Sequence, residues 1–135
     1  PGNHPDRVGL SDHYNGRSWV TCAQPGTISL FMYRTYMMSI KSHKFMLCPS
    51  GNADGCECHR DWETIYIKRV PIVKDSPYLR IIFKDIPVLF VDDLRNVTEQ
   101  LLIDNDHLYQ QMQSFDLNRL DYENIYNNII NRIAV

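Results

Sequence analysis

Residues 45–73 read F-M-L-C-P-S-G-N-A-D-G-C-E-C-H-R-D-W-E-T-I-Y-I-K-R-V-P-I-V. A short apolar run is followed by a polar, Gly-containing loop, a helical segment and a second apolar run. Phe45-Met46-Leu47-Cys48 is expected as a short buried strand, stopped by Pro49. Ser50 through Cys58 is expected as a loop, with a helix from about His59 to Lys68. Val70-Pro71-Ile72-Val73 then forms the next strand, where a proline near the start is tolerable. Such a β-loop-α-β unit sets loop amides and a helix N-terminus beside the carboxyl end of a strand. Phosphates and nucleotides commonly sit there.

The pattern continues downstream. Ser76 to Phe83 suggests a short helix, and Pro87-Val88-Leu89-Phe90-Val91 a third strand bounded by Asp92-Asp93. Asn96 or Thr98 opens a helix to about Leu102, and Asp104 to Met112 adds another. Tyr122, Ile125, Tyr126, Ile129, Ile130 and Ile133 then recur at helical spacing, a long apolar stripe that must lie on something. Upstream, Leu30, Tyr33, Met37 and Ile40 make one stripe of a helix beginning near Thr27. Thr27 or Ser29 can cap it, and Lys41, His43 and Lys44 suit its C-terminus. Residues 1–28 hold Pro1, Pro5 and Pro25 with Gly2, Gly9, Gly16 and Gly26. They are expected as an irregular linker, or an arm lying on the domain, which leaves 29–135 as the folded unit. Strands alternating with helices predict the α/β class: a Rossmann-like three-layer domain with a small parallel sheet. No internal repeat or low-complexity segment interrupts it.

The whole chain sets bounds. Its 135 residues fit one domain, 44% apolar and 22% charged, ordinary for a globular protein. A net charge of −2 gives no electrostatic footprint for nucleic acid or an anionic membrane. No apolar run is long enough to span a bilayer, and no signal peptide is visible. The chain begins Pro1-Gly2-Asn3 without Met, as in a fragment or a processed form. Asn96-Val97-Thr98 matches a glycosylation acceptor, which matters only in a secreted chain. The secretory lumen and the cytoplasm both fit. Cys22, Cys48, Cys56 and Cys58 are too few and too clustered for a disulfide scaffold, so reduced, buried thiols are expected, with one disulfide as the alternative.

The loop and helix carry the chemistry. Gly51 and Gly55 let the backbone approach a ligand closely. The helix start near His59 offers free N–H groups, with His59 and Arg60 adding charge, so an anion such as a diphosphate suits it. Glu63, four residues after His59 and three after Arg60, shares their side of the helix. Its carboxylate suits a pair of sugar hydroxyls. Lys74 can reach a phosphate. The same residues also read as a charged helix start, with Glu63 paired to Arg60, Lys74 solvated and Trp62 in the core. Asp54 and Glu57 are weak metal candidates. Cys48, Cys56, Cys58 and His59 make C-x7-C-x-C-H, a poor match to the C-x2–4-C pairs of structural zinc. No G-x-S-x-G elbow, P-loop or G-x-G-x-x-G occurs.

In combination the motifs are more specific. S-H-K-F-M-L-C-P-S-G-N, C-H-R-D-W-E-T-I-Y, V-P-I-V-K, D-I-P-V-L-F-V-D-D and V-T-E-Q-L-L, in this order, resemble the C-terminal half of exostosin-like glycosyltransferases. The resemblance covers about residues 29–102. It implies one half of a GT-B fold, the half that binds a nucleotide diphosphate sugar, with transfer to a hydroxyl of a glycan or glycoprotein acceptor. By this resemblance Ser50, Gly51, Asn52, His59 and Arg60 face the donor diphosphate, Glu63 accepts from ribose or donor-sugar hydroxyls, and Lys74 and Ser76 close the far side. No metal or other cofactor is implied, and the general base is expected outside this chain, in an upstream acceptor half on which this one packs. The chain departs from the family at Lys68-Arg69, where a Gly-containing turn is expected, at Glu57 in place of Asp, and at Leu94 in place of Trp. The alternative is a non-catalytic nucleotide-binding or protein-interaction module derived from such an enzyme.

Overall fold

A computed structural model describes residues 4–22, 30–51 and 55–133. Three parallel strands form one sheet in the order β1-β2-β3: β1 (Phe45–Leu47), β2 (Val70–Lys74) and β3 (Leu89–Val91). Phe45 pairs with Val70, and Ile72 with Leu89. Helix α3 (His59–Tyr66) joins β1 to β2, and α4 (Pro77–Ile82) joins β2 to β3. Right-handed crossovers that step the same way across a sheet put both helices on one face. Trp62 of α3 and Phe83 at the end of α4 accordingly meet edge to face at 5.4 Å. Trp62 is thus half-buried against the core.

β2 is the middle strand. Val70, Pro71, Ile72 and Val73 are all buried, so the sheet is covered on both faces. The α/β class and small parallel sheet expected from the sequence are what the chain forms, and they are consistent with a Rossmann-like domain. Pro71 fits a central strand for a specific reason. Val70 N–H bonds to Lys44 O, and Ile72 O accepts from Cys48 N–H, so these residues face β1; Asp75 N–H bonds to Val91 O and faces β3. By alternation Pro71 also faces β3, and its missing N–H falls opposite residue 87, ahead of the first residue of β3.

Of the stretch expected over 1–28 as an irregular linker or an arm lying on the domain, the described residues 4–22 do lie on the domain but are more regular than expected. Residues Pro5–Arg7 form a 3-10 turn and Leu10–Tyr14 a helix, α1, with Leu10 and Tyr14 in the core. Tyr14 is only 1% exposed. Its hydroxyl donates to Leu94 O and accepts from Val97 N–H at 3.2 Å. One polar atom on an apolar ring therefore sews α1 to the segment after β3, whose first residues form a 3-10 turn at Leu94–Asn96. Low counts of apolar residues hid this helix, because five residues need only two to dock it.

Helix α2 (Leu30–Lys41) forms as its stripe predicts, with Ile40 of that stripe buried and Met37 half-buried, but Tyr33 is exposed. Its aromatic hydroxyls turn instead to Glu63 of α3. The expected caps Thr27 and Ser29 lie outside the described residues. After β3, Thr98 caps α5 (Glu99–Asp104), followed by α6 (Asp106–Ser114) and α7 (Tyr122–Ile133). Helix α7 exposes Tyr126 and Ile130 of its apolar stripe.

The Lys68-Arg69 departure has a plain geometry. Arg69 N–H bonds back to Thr64 O (2.9 Å) and Lys68 N–H to Ile65 O (2.8 Å), a Schellman ending for α3. Lys68 takes φ +57°, the left-handed conformation that glycine adopts without strain. Lys68→Gly is expected to leave the fold intact and raise stability by up to about 1 kcal/mol, read from urea unfolding. Tyr14→Phe leaves Val97 N–H without its buried acceptor and is expected to cost about 1–3 kcal/mol in the same measurement.

Candidate functional site

The carboxyl ends of β1 and β2 open side by side, as this sheet topology requires. Ser50 lies just beyond β1 and is buried, and Lys74 ends β2. Both reach one carboxylate, that of Asp6 in the N-terminal turn. Ser50 Oγ donates to Asp6 Oδ2 at 3.1 Å, and Lys74 Nζ donates to Oδ1 at 3.3 Å. The Asp6 side chain is only 13% exposed. His4 Nδ1 accepts from the Asp6 N–H at 3.3 Å and lies 3.5 Å from Oδ2. Arg7 fixes the same turn, giving two hydrogen bonds, 3.1 and 2.7 Å, to Ser50 O. An anion is thus held where the two strands end.

The loop after Ser50 closes on itself. Gly51 N–H bonds to Cys56 O at 3.4 Å, and a Cβ on Gly51 would lie 3.0 Å from Glu57 O. Gly55 takes φ +70°, and a Cβ there would meet Ser76 Cβ at 3.0 Å. Both glycines are therefore demanded by the fold of the loop. Ser76 is likewise tied in: its Oγ donates to Gly55 O at 2.9 Å and accepts from Leu79 N–H at 3.1 Å as the cap of α4. Asn52 lies outside the described residues.

The start of α3 is filled from within. Cys58 is the cap residue, and its N–H donates to Asp61 Oδ2 at 2.7 Å, while its thiol approaches Oδ1 at 3.6 Å. The positive end of the helix therefore already faces a carboxylate. Burial raises the Asp61 carboxyl above its usual range; the Cys58 N–H, the Cys48 and Cys58 thiols and Arg60 oppose this in part. His59 is exposed at the same helix start.

Arg60 and Glu63 are brought together on the other flank of α3, against α2. Glu63 accepts from the Tyr33 hydroxyl at 3.3 Å and the Tyr36 hydroxyl at 3.1 Å. Arg60 Nε donates to the Tyr36 oxygen at 3.3 Å. The expected direct pairing of Arg60 with Glu63 thus runs through a phenol. Burial pushes Tyr36 up to about 12, with Arg60 opposing, so this hydroxyl stays protonated and serves as donor to Glu63. Tyr36 and Arg60 also border a cavity of about 290 Å³ between α1, α2 and β1, with Trp19, Ile40, Phe45 and Leu102 among its apolar walls.

Four of the expected site residues therefore fall into two groups, Ser50 with Lys74 around Asp6 and Arg60 with Glu63 around Tyr36, while Gly51 and Ser76 are tied into the loop and His59 is exposed. Asp6, Arg7, Tyr33 and Tyr36 were not identified from the sequence as site residues. Tyr33 and Tyr36 carried a signal, since they stand three apart on a predicted helix; Asp6 carried none, being 44 residues from Ser50. The C-x7-C-x-C-H set is not gathered. Cys48 is buried with its thiol aimed at Met46 O, and Cys58 is bound to Asp61. Among the described residues no three His, Cys, Asp or Glu side chains meet in a way that could hold a metal. All four cysteines are free thiols, of which Cys48 is buried. Burial pushes the Cys48 thiol well up.

A scan against protein-family models gives no match, and no curated protein searched is similar to the chain.

A carboxyl raised by folding favours the folded state below its unfolded value, near pH 4, and that advantage is lost as pH rises through the folded value. Wild type should therefore lose stability relative to Asp61→Asn between about pH 4 and neutrality. Urea titrations at several pH values read the difference; a gap that widens in favour of wild type as pH rises would contradict it.

Proposed function

We propose that this chain is the donor-binding half of an exostosin-like glycosyltransferase, moving a sugar from a nucleotide diphosphate sugar to a hydroxyl of a glycan or glycoprotein. The observation that carries the proposal is the convergence of Ser50 Oγ and Lys74 Nζ on one carboxylate at the ends of two adjacent parallel strands. Ligands of open α/β sheets bind outside those ends. The ordered motif set over residues 29–102 supplies the choice of ligand.

In this reading Ser50 and Lys74 hold the donor diphosphate, and Arg60 lies on the flank toward the 290 Å³ cavity. Glu63 serves as acceptor for two hydroxyls, the role it fills here toward Tyr33 and Tyr36. The start of α3 contributes little, because Asp61 occupies it. During transfer the bond from the anomeric carbon to the diphosphate oxygen breaks and a bond to the acceptor oxygen forms. The acceptor proton goes to a base in the upstream half. Negative charge grows on the leaving diphosphate, and fixed donors and cations stabilise it more than they stabilise the bound donor.

A second reading, a non-catalytic module descended from such an enzyme, is favoured by the same groups finding their partners inside the chain. Calorimetry with nucleoside diphosphates tests the first. Binding is expected, unchanged by EDTA, and weakened by about 1.5–3 kcal/mol in Lys74→Ala and in Arg60→Ala. Binding that no nucleoside diphosphate shows, or that both substitutions leave intact, would end it. Binding without sugar transfer when the upstream half is present would select the second reading.

A further inference from the structure

The turn that carries Asp6 is held almost wholly by polar bonds. None of Pro5–Arg7 is buried among apolar groups. Among its grips are Asp6 on Ser50 Oγ and Lys74, Arg7 on Ser50 O, and Arg95 Nη2 on Val8 O at 2.6 Å and on Pro5 O at 3.4 Å. The chain beyond it is anchored differently. Leu10 and Tyr14 of α1 are in the core, and the Tyr14 hydroxyl is bonded to Leu94 and Val97. Between the two stands Gly9, at φ +70° with nothing within 4 Å of where a Cβ would be. A soft joint thus separates a polar turn from a docked helix.

We propose that the turn at residues 4–8 is a displaceable plug. Its Asp6 carboxylate occupies an anion seat built by Ser50 and Lys74, and a phosphate or diphosphate takes that seat by expelling it. The inference rests on the donor-site reading above and adds how that site is controlled. Charge favours the exchange, since a phosphate brings more negative charge and more acceptor oxygens to Lys74 and Ser50 than a carboxylate does. Geometry permits it, because the turn swings out about Gly9 while Leu10 and Tyr14 stay in place. Arg7 then leaves Ser50 O, which exposes the Arg7–Val8 bond to a protease. The occupant gives the chain a built-in competitor: ligand affinity is lowered by the fraction of time that Asp6 is seated.

The test uses the full chain and inorganic pyrophosphate as probe, with a nucleoside diphosphate in a parallel arm. Asp6→Asn is expected to bind pyrophosphate at least about tenfold tighter than wild type, with Asp6→Ala as a second variant that removes the carboxylate by a different route. Thermal unfolding checks that both variants fold. In wild type, pyrophosphate is expected to speed tryptic cleavage after Arg7, read by mass spectrometry, with cleavage after Arg17 unchanged. Equal or weaker binding by both variants, with binding still lost in Lys74→Ala, overturns the plug and leaves the donor site standing. Tighter binding with no change in cleavage after Arg7 overturns displacement. Failure of every chain to bind pyrophosphate or the nucleoside diphosphate overturns the donor site and the plug together.

Discussion

Parallel strands that end side by side leave a row of polar groups on one edge of a buried sheet, and this constraint shapes the rest of the molecule. β2 is closed in on both faces, so whatever follows it must be satisfied by chain or solvent at a single opening. Here the chain supplies much of what is needed. Asp6 answers Ser50 and Lys74, Asp61 answers the start of α3, and two tyrosine hydroxyls answer Glu63. No buried side-chain nitrogen or oxygen among the described residues lacks a partner. Each partner has the chemical character of a ligand part: carboxylate for phosphate, phenol for sugar hydroxyl.

This self-completion explains which parts of the site were legible in the sequence. The strands and helices from Phe45 to Val91 follow from apolar runs, a capping serine and well-placed prolines, all local signals. The loop glycines were visible too, but their purpose was not. Gly51 and Gly55 suggested close approach to a ligand, whereas Glu57 O and Ser76 are what approach them. Local spacing shows that a position needs to be small without showing what crowds it. Arg60 and Glu63 were rightly set on one side of a helix, and Tyr36 between them came from another helix. Asp6 is the extreme case, a lone acid in a Pro- and Gly-containing start, joined to the sheet only in three dimensions.

Burial of charge divides the two acids. Asp61 sits deep, where burial raises its carboxyl despite the bonds from the Cys58 N–H and thiol that tie it to the helix start. Asp6 is held near the surface by a serine and a lysine that a stronger anion can also engage. Fixed and exchangeable carboxylates thus stand on either side of one loop. Tyr14 performs the matching task beside β3, where one hydroxyl settles two backbone groups and fastens α1 to the segment beyond that strand.

Pro71 has an effect on structures that this chain does not adopt. Alternation of apolar and polar residues normally fixes strand register, but β2 is buried on both faces and carries no such alternation, so side-chain burial alone separates its alignments weakly. With its nitrogen turned toward β3, Pro71 leaves unpaired any β3 carbonyl that slides opposite it, a penalty of about 1–3 kcal/mol for a buried acceptor. In the native alignment no β3 residue stands there, and the penalty vanishes. A missing hydrogen therefore proofreads the pairing of β2 with β3 and so fixes, to the residue, how far Lys74 projects beyond the sheet.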